Sequence, residues 1–506
     1  MNDSVKFELS SFKEYFFKSK KYWLFYLLLI LIVVLSLFGL ENYHHPKFEI
    51  FTIIIVSIIS IFSITYYYKN GNKKLYKLAF IILLLFGLIC AFLIPIDSIS
   101  DEYEHLTRSE ITSRGILFPE YVNGSYESIS SLPDFYNNAN GKTVFEVTGD
   151  TAKIENSIAH VDSAFEQNPF YGYIFSAIGI AIAKLLDLNV IWMLWLGRLF
   201  NVIAYSVLVS LAIKKSPILK IQLFAISCLP ICLFQAFSIS IDSLVAGLGI
   251  FTIAYFFNMY VNEFDKKEVI IFSLLCLLVG LCKIPYLALI FLLLFIPRDN
   301  FDKNNYFIYC ALSIAFVAVI GLLWNNFYAS PALYHSWRAQ YFIQNNVNVE
   351  NQLSYIFSHP LDFIVAISTI LYSLPTIFSS FFNFYNGHEY CASQFISMLL
   401  TFFVVFVSLY PSDIKISLKS RIGVFVTFSI IYVGTYLVQL LSWNPVGQLT
   451  FNGIHARYFL VLFALLPFIF ANNILDYKNK KLDNYTVVLI LFFISAMIIS
   501  LATKYY

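Results

Sequence analysis

An all-α polytopic membrane protein of about 13 helices is the fold class this chain predicts, and three observations predict it. Of its 506 residues, 59% are hydrophobic and 13% charged, and the mean hydropathy is +0.72. Soluble domains carry about 25% charged residues. Apolar runs long enough to cross a bilayer, which takes roughly 20 helical residues, recur from end to end. Between many of them lie short loops rich in lysine or arginine, the mark of a cytoplasmic side. The net charge of +2 leaves no basic face for nucleic acid, which is excluded as a partner. Cys90, Cys228, Cys232, Cys276, Cys282 and Cys310 lie in or beside apolar runs and Cys391 stands alone in a polar turn, so neither a disulfide framework nor a zinc spacing is present.

The elements follow in order. Met1 to Lys21 is polar and lysine-bearing; the run after it is too long for a signal-peptide core and lacks a small-residue cleavage site, so it reads as a retained first helix. With the N-terminus inside, the spans are Tyr22 to Leu40, Phe48 to Tyr68, Leu78 to Pro95, Ile191 to Ile213, Ile221 to Ser238, Ser243 to Val261, Val269 to Leu281, Pro285 to Pro297, Tyr306 to Phe327, Gln394 to Tyr410, Gly423 to Leu441, Tyr458 to Asn472 and Thr486 to Leu501. This arrangement puts the lysine and arginine loops around Lys73, Lys215, Lys266, Arg298, Lys419 and Lys480 on the cytoplasmic side. Crossing by Pro169 to Leu186 or Leu361 to Phe378 would turn later lysines outward, so both read as interfacial or re-entrant segments. Val269 to Leu281 and Pro285 to Pro297 are short and predict a bent pair around Lys283. One large outer loop remains, residues 96–190; between Asp97 and Glu166 it carries thirteen acids against four basic residues.

The polar residues that an apolar chain must keep for a reason collect on the outer side of this arrangement. Asp101, Glu102 and His105 follow the third span, Asp242 opens the sixth, and Lys283 joins the seventh and eighth. Arg338 belongs to the second outer loop, His388 and Glu389 precede the tenth span, and Asn452, His455, Arg457 and Tyr458 lead into the twelfth. Arg198 lies inside an apolar helix and needs a partner. Ser98 and Asp101 have the spacing of a helix cap and its third-position acid. Asp101 and His105, four apart, would share a helix face, a spacing that suits a divalent metal such as Mg or Mn as well as a plain ion pair. Lys283 and Arg457 can hold a lipid phosphate or snorkel to headgroups. No phosphate-binding glycine loop, dinucleotide fingerprint or nucleophile elbow is present.

Ser100-Asp101-Glu102-Tyr103-Glu104-His105 resembles the Pro-Asp-Glu-x-x-His signature of the bacterial membrane proteins grouped as domain of unknown function 2142. Further blocks agree in order: Asn168 to Tyr171, Gly197 to Asn201, Leu229 to Asp242, Lys283 to Tyr286 and Asn452 to Phe459. That family is in turn similar to the GT-C superfamily of glycosyltransferases, which use polyprenyl-phosphate-linked sugars and place an acidic motif in the first large outer loop. The resemblance implies a GT-C-like core at residues 78–328 that includes the outer loop 96–190. Residues 1–77 would be a cytoplasmic segment with an added helical hairpin, 329–393 a second outer loop with an interfacial helix, and 394–506 the C-terminal helices.

The resemblance further implies a catalytic acid at Asp101 or Glu102, with His105 orienting it or joining a metal. Arg457, Lys283, Arg338 and Tyr458 would bind the donor phosphate, with Asp242, Arg198, Asn452, His455 and Glu389 as further site candidates. The expected partners are a polyprenyl-phosphate-linked sugar, a glycan acceptor and the lipid bilayer, and the expected place is a bacterial cytoplasmic (inner) membrane with the site facing outward. Two other functions remain open: a surface-polysaccharide polymerase or ligase, and a lipid-linked glycan flippase.

Overall fold

A computed structural model describes residues 12–37, 46–147, 152–301, 305–381, 393–451, 453–471 and 480–506. The chain is a multi-pass, all-α membrane protein. Seven helical stretches among these residues are long and apolar enough to cross a bilayer. They are α1 (Lys20–Leu37), the continuous stretch made by α2 (Pro46–Asn70) and α3 (Leu75–Leu93), and five more described below. The α2–α3 stretch folds back at Gly71, whose φ of +57° is free only to a residue without Cβ. Two contacts with the last helix, Lys480–Tyr505, and one with the residue after it fix the hairpin. The Thr503 hydroxyl donates to Glu49 Oε1 at 2.8 Å, the Tyr506 hydroxyl to the Phe92 carbonyl at 3.2 Å, and Asn72 Nδ2 to Asp483 at 3.4 Å.

Beyond the hairpin come α4 (Glu102–Ser113), the antiparallel strands β1 (Tyr126–Ile129) and β2 (Ile158–Val161), α5 (Ile174–Leu185), α6 (Ile191–Lys215), α7 (Lys220–Ser227), α8 (Pro230–Ala236), α9 (Ile241–Val261) and α10 (Lys266–Cys282). The C-terminal half contains α11 (Tyr306–Trp324), α12 (Ser336–Gln344), α13 (Val349–Ser358), α14 (Pro360–Phe381), α15 (Gln394–Ser408), α16 (Leu418–Trp443) and α17 (Lys480–Tyr505). Helix α17 is the buried centre, with 94% of its apolar window inside the protein; α1 and α11 lie at the rim. Helices α3 and α9 pack along α6, and α5 crosses α6 at Gly179. A Cβ there would stand 2.3 Å from the Leu196 carbonyl oxygen, so only glycine permits the approach.

Thirteen full-length spans are not present among the described residues. The predicted runs Ile221 to Ser238, Val269 to Leu281, Pro285 to Pro297, Gln394 to Tyr410 and Tyr458 to Asn472 form short or broken helices instead. The first breaks where Pro230, lacking an amide hydrogen, starts a new helix after an extended Leu229. The third is a 3-10 helix, Ile284–Phe295, which at about 2.0 Å per residue stretches 12 residues over roughly 24 Å. The last is a chain of one-turn pieces between Ala456 and Ile469. Freed backbone groups are tolerated at this depth because protein surrounds them: residues 220–237 are almost wholly buried.

The two ends of the molecule differ in kind. Leu219 N donates to Asp413, Gln222 to the Pro411 carbonyl, the Tyr410 hydroxyl to Asp483, and Ser417 N to the Tyr260 hydroxyl; Phe264 N donates to the Asn300 carbonyl. These contacts gather the described lysine and arginine loops at one end, as the sequence expects. The broken segments run from there to the opposite end. Ser420 bonds the Phe295 carbonyl and Arg421 the Ile469 carbonyl at the lysine end, while Lys283 and Arg457 emerge at the other. Of the two segments expected to lie along the membrane, Phe170–Leu185 is a short apolar helix against α4 and α6. The other falls in α14, and the pair Trp337–Ser358 and Pro360–Tyr372 is bent by 104°.

Candidate active site

The site begins with a buried lock. Glu102 opens α4 and is 1% exposed; Arg198 on α6 is fully buried. Arg198 Nε and Nη2 donate to the two Glu102 oxygens at 2.8 and 2.6 Å, a bidentate pair. The remaining guanidinium hydrogens go to the carbonyls of Ala91, Ile94 and Pro95, and the carboxylate also accepts from Ile239 N and Asp97 N. Four stretches of chain are thereby tied at the mouth of α3: its own end with the turn after it, the start of α4, α6 and the segment before α9. The pair is saturated, so Glu102 holds the frame and does not face the cavity beside it.

That frame presents Asp101. Its backbone is left-handed, with φ of 64°, a conformation that costs a non-glycine residue on the order of 1–3 kcal/mol. The expected cap formed by Ser98 and Asp101 is absent: α4 starts three residues later than that cap implies, and Asp101 stands at the cap position without capping the helix. Its carboxylate turns instead to Arg457, whose Nη2 donates to Oδ2 at 2.5 Å while Nη1 donates to the Ser100 carbonyl at 3.0 Å. Arg457 Nε lies 3.7 Å from Asp242 Oδ2 and has no hydrogen-bond partner among the described residues. Lys283 closes the row with an ion pair to Asp242 Oδ1 and stands 4.7 Å above the Tyr458 ring. The order is Asp101, Arg457, Asp242, Lys283. Four residues as far apart as 101 and 457 meet because the broken segments deliver Lys283 and Arg457 to the same end as α4 and the start of α9.

The row lines a cavity of about 290 Å³ together with His105, Arg338, Tyr458 and apolar side chains such as Ile241, Leu281, Ile284, Pro285 and Val438. Asp101 has 43% of its side chain exposed, Asp242 only 4%. Asp101 is therefore the carboxylate open to a ligand. Burial alone would raise its pKa, but the Arg457 guanidinium outweighs this and holds it below the usual carboxylate range. His105 points Nδ1 at the Tyr173 hydroxyl, 2.8 Å away, and that hydroxyl also accepts from Asn168 Nδ2 at 2.7 Å. Burial pushes the imidazole down to about 4, so it is neutral near pH 7. Burial also raises Glu104, and raises Asp97 to about 7.

Arg338 on α12 has no ion pair among the described residues. Its guanidinium lies between the rings of Phe165, Trp337 and Trp443, at 5.3, 5.7 and 5.7 Å. With Arg457 and Lys283 it gives the cavity three cations against the two carboxylates of Asp101 and Asp242. His455 stacks edge-on against Tyr458. Glu389, His388 and Asn452 lie outside the described residues. Among the described residues no group of three histidine, cysteine or carboxylate side chains converges as a metal would require; Glu102 turns away to Arg198, so Asp101, Glu102 and His105 do not form a ligand set. Of Tyr173, Asn168, Trp443 and Gln439, the sequence marks only Asn168, as part of a family block; Gln439, on α16, is a buried amide whose Oε1 lacks a partner among the described residues. An orphaned polar group of that kind costs about 1–3 kcal/mol. A lone glutamine late in an apolar run is the signal that could have found it.

Residues 84–466 match the model of one protein family, described as a predicted membrane protein (DUF2142). No curated protein and no solved structure matches the chain.

Proposed function

This chain belongs to the DUF2142 family of predicted membrane proteins, and from that premise we propose that it is a GT-C-type inverting glycosyltransferase. It would move a sugar from a polyprenyl-phosphate donor to a cell-surface glycan, at the outer face of a bacterial cytoplasmic membrane. The observation that carries this reading is the row at the cavity wall: one open carboxylate, Asp101, beside Arg457, with Lys283 and the unpaired Arg338 around the same space. An excess of cations in a partly apolar cavity suits a lipid phosphate. Asp101, ionised and open, suits a hydroxyl that must lose a proton.

In this mechanism the acceptor oxygen attacks the anomeric carbon from the face opposite the phosphate. The new carbon–oxygen bond forms as the bond from that carbon to the phosphate oxygen breaks, so the sugar inverts. The acceptor proton passes to Asp101, and the electron pair of the broken bond leaves with polyprenyl phosphate. Arg457, Lys283 and Arg338 stabilise the charge that grows on the departing phosphate. His105, neutral, stiffens the wall through Tyr173.

The test is sugar transfer in liposomes that contain the purified chain and polyprenyl monophosphates carrying radiolabelled hexose, N-acetylhexosamine or pentose, with acceptor glycans isolated from the parent strain. Protein-dependent loss of label from one lipid into the glycan is the expected result. If no lipid of this panel loses its label, the reading fails; transfer only from diphosphate-linked oligosaccharides would make the protein a polymerase or ligase.

A further inference from the structure

Helix α16 (Leu418–Trp443) turns one face of its last turns to the cavity, and that face carries polar side chains. Thr435, Val438, Gln439, Ser442 and Trp443 all line the space, at the spacing of one helical stripe. Thr435 and Ser442 spend their hydroxyl hydrogens on their own helix, on the carbonyls of Ile431 and Val438 at 2.8 and 2.7 Å, which leaves oxygen lone pairs facing inward. Gln439 is different. It is 9% exposed, and its Oε1 has no hydrogen-bond partner among the described residues. A Cβ on Gly453 would lie 3.8 Å from that oxygen, so the amide sits beside the loop that brings in Arg457.

An unpaired amide in a cavity is costly against hydrocarbon and favourable against a group that both donates and accepts hydrogen bonds. A polyprenyl tail offers no such group. A phosphate offers acceptors, for which Arg457, Lys283 and Arg338 are at hand. What remains is a hydroxyl or acetamido group of a sugar. Resting on the function proposed above, we propose that Gln439, supported by Thr435 and Ser442, reads a polar substituent of the donor sugar and sets which sugar the enzyme accepts. The phosphate then lies toward Lys283 and Arg457, and the sugar along the α16 wall between Arg457 and Trp443. A site built to bond a hydroxyl rejects the analogue that lacks it far more strongly than an apolar pocket rejects a methylene.

The experiment measures binding to the full chain in nanodiscs of two probes, bare polyprenyl phosphate and polyprenyl phosphate bearing each sugar of the panel above. Wild-type protein should bind one sugar-bearing lipid more tightly than the bare lipid. Gln439→Leu should lower affinity for that sugar-bearing lipid by about 10- to 100-fold, the equivalent of one lost hydrogen-bonding group, and leave the bare lipid within twofold. Retained bare-lipid binding also shows that the variant is folded. Should Gln439→Leu lose both probes, Gln439→Asn, which keeps the amide and withdraws it by one methylene, should weaken the sugar-bearing lipid alone. Equal effects on both probes in the Asn variant, or no effect of either substitution, overturn the role of Gln439. Absence of binding of any polyprenyl phosphate to wild-type protein instead overturns the proposed function.

Discussion

Two side chains on α4, Glu102 and His105, have different duties. Glu102 is structural: with Arg198 it forms a desolvated pair, and removal of one partner from such a pair costs about 3–5 kcal/mol because the other charge stays buried. Glu102→Ala should lower unfolding stability in detergent by that amount, and a loss under about 1 kcal/mol would contradict the assignment. His105 makes the fold sensitive to acid, while Asp97, raised by burial, acts in the opposite direction. The His105 pKa is about 4 in the folded chain against 6.5 for the free group, so the unfolded chain binds the proton first as pH falls. Its contribution is complete above pH 6.5 and disappears between 6.5 and about 4, on the order of 3 kcal/mol. Asp97, raised to about 7, stabilises the fold as pH falls over nearly the same range, so in His105→Phe the unfolding midpoint should rise on acidification relative to wild type; an unchanged pH dependence would contradict the assignment. Sequence alone marked Glu102 as a second base or metal ligand and Arg198 as a cation in want of a partner. Ninety-odd positions separate them along the chain, and nothing local says that each is the other's answer.

At the scale of elements, the polar ends were more legible than the helices between them. Lysine position reports the side of a membrane through local charge, so the loops that gather at one end could be read from sequence. Continuity could not: Ile221 to Ser238 has the composition of a span, yet a proline in its middle and complete burial yield two short helices. Hydropathy counts apolar residues without knowing whether lipid or protein will cover them. The crossing of α5 and α6 carries its own prediction. Gly179→Ala puts a Cβ against the Leu196 carbonyl and should destabilise the protein by about 1–3 kcal/mol, as overpacking does. An unaltered melting temperature would show that the helices separate freely, and with them the wall that holds Tyr173 and His105.

For the whole molecule, the broken segments are what makes a site possible. Lys283 and Arg457 sit at the ends of a 3-10 helix and a chain of single turns, and these deliver both cations to the acid at the head of α4. Regular helices alone would not place Arg457 between Asp101 and Asp242. The candidate residues could be picked from the sequence because charges are rare in this chain; their order along the wall, and the exposure that separates Asp101 from Asp242, depend on packing between distant segments. The most direct test of the account compares binding and turnover in Asp101→Asn, using polyprenyl phosphate for binding and the active sugar lipid for transfer. If Asp101 takes the acceptor proton, lipid affinity should stay within a few-fold of wild type while transfer falls by about 10²- to 10⁴-fold. Transfer at the wild-type rate by the folded Asn variant would contradict it.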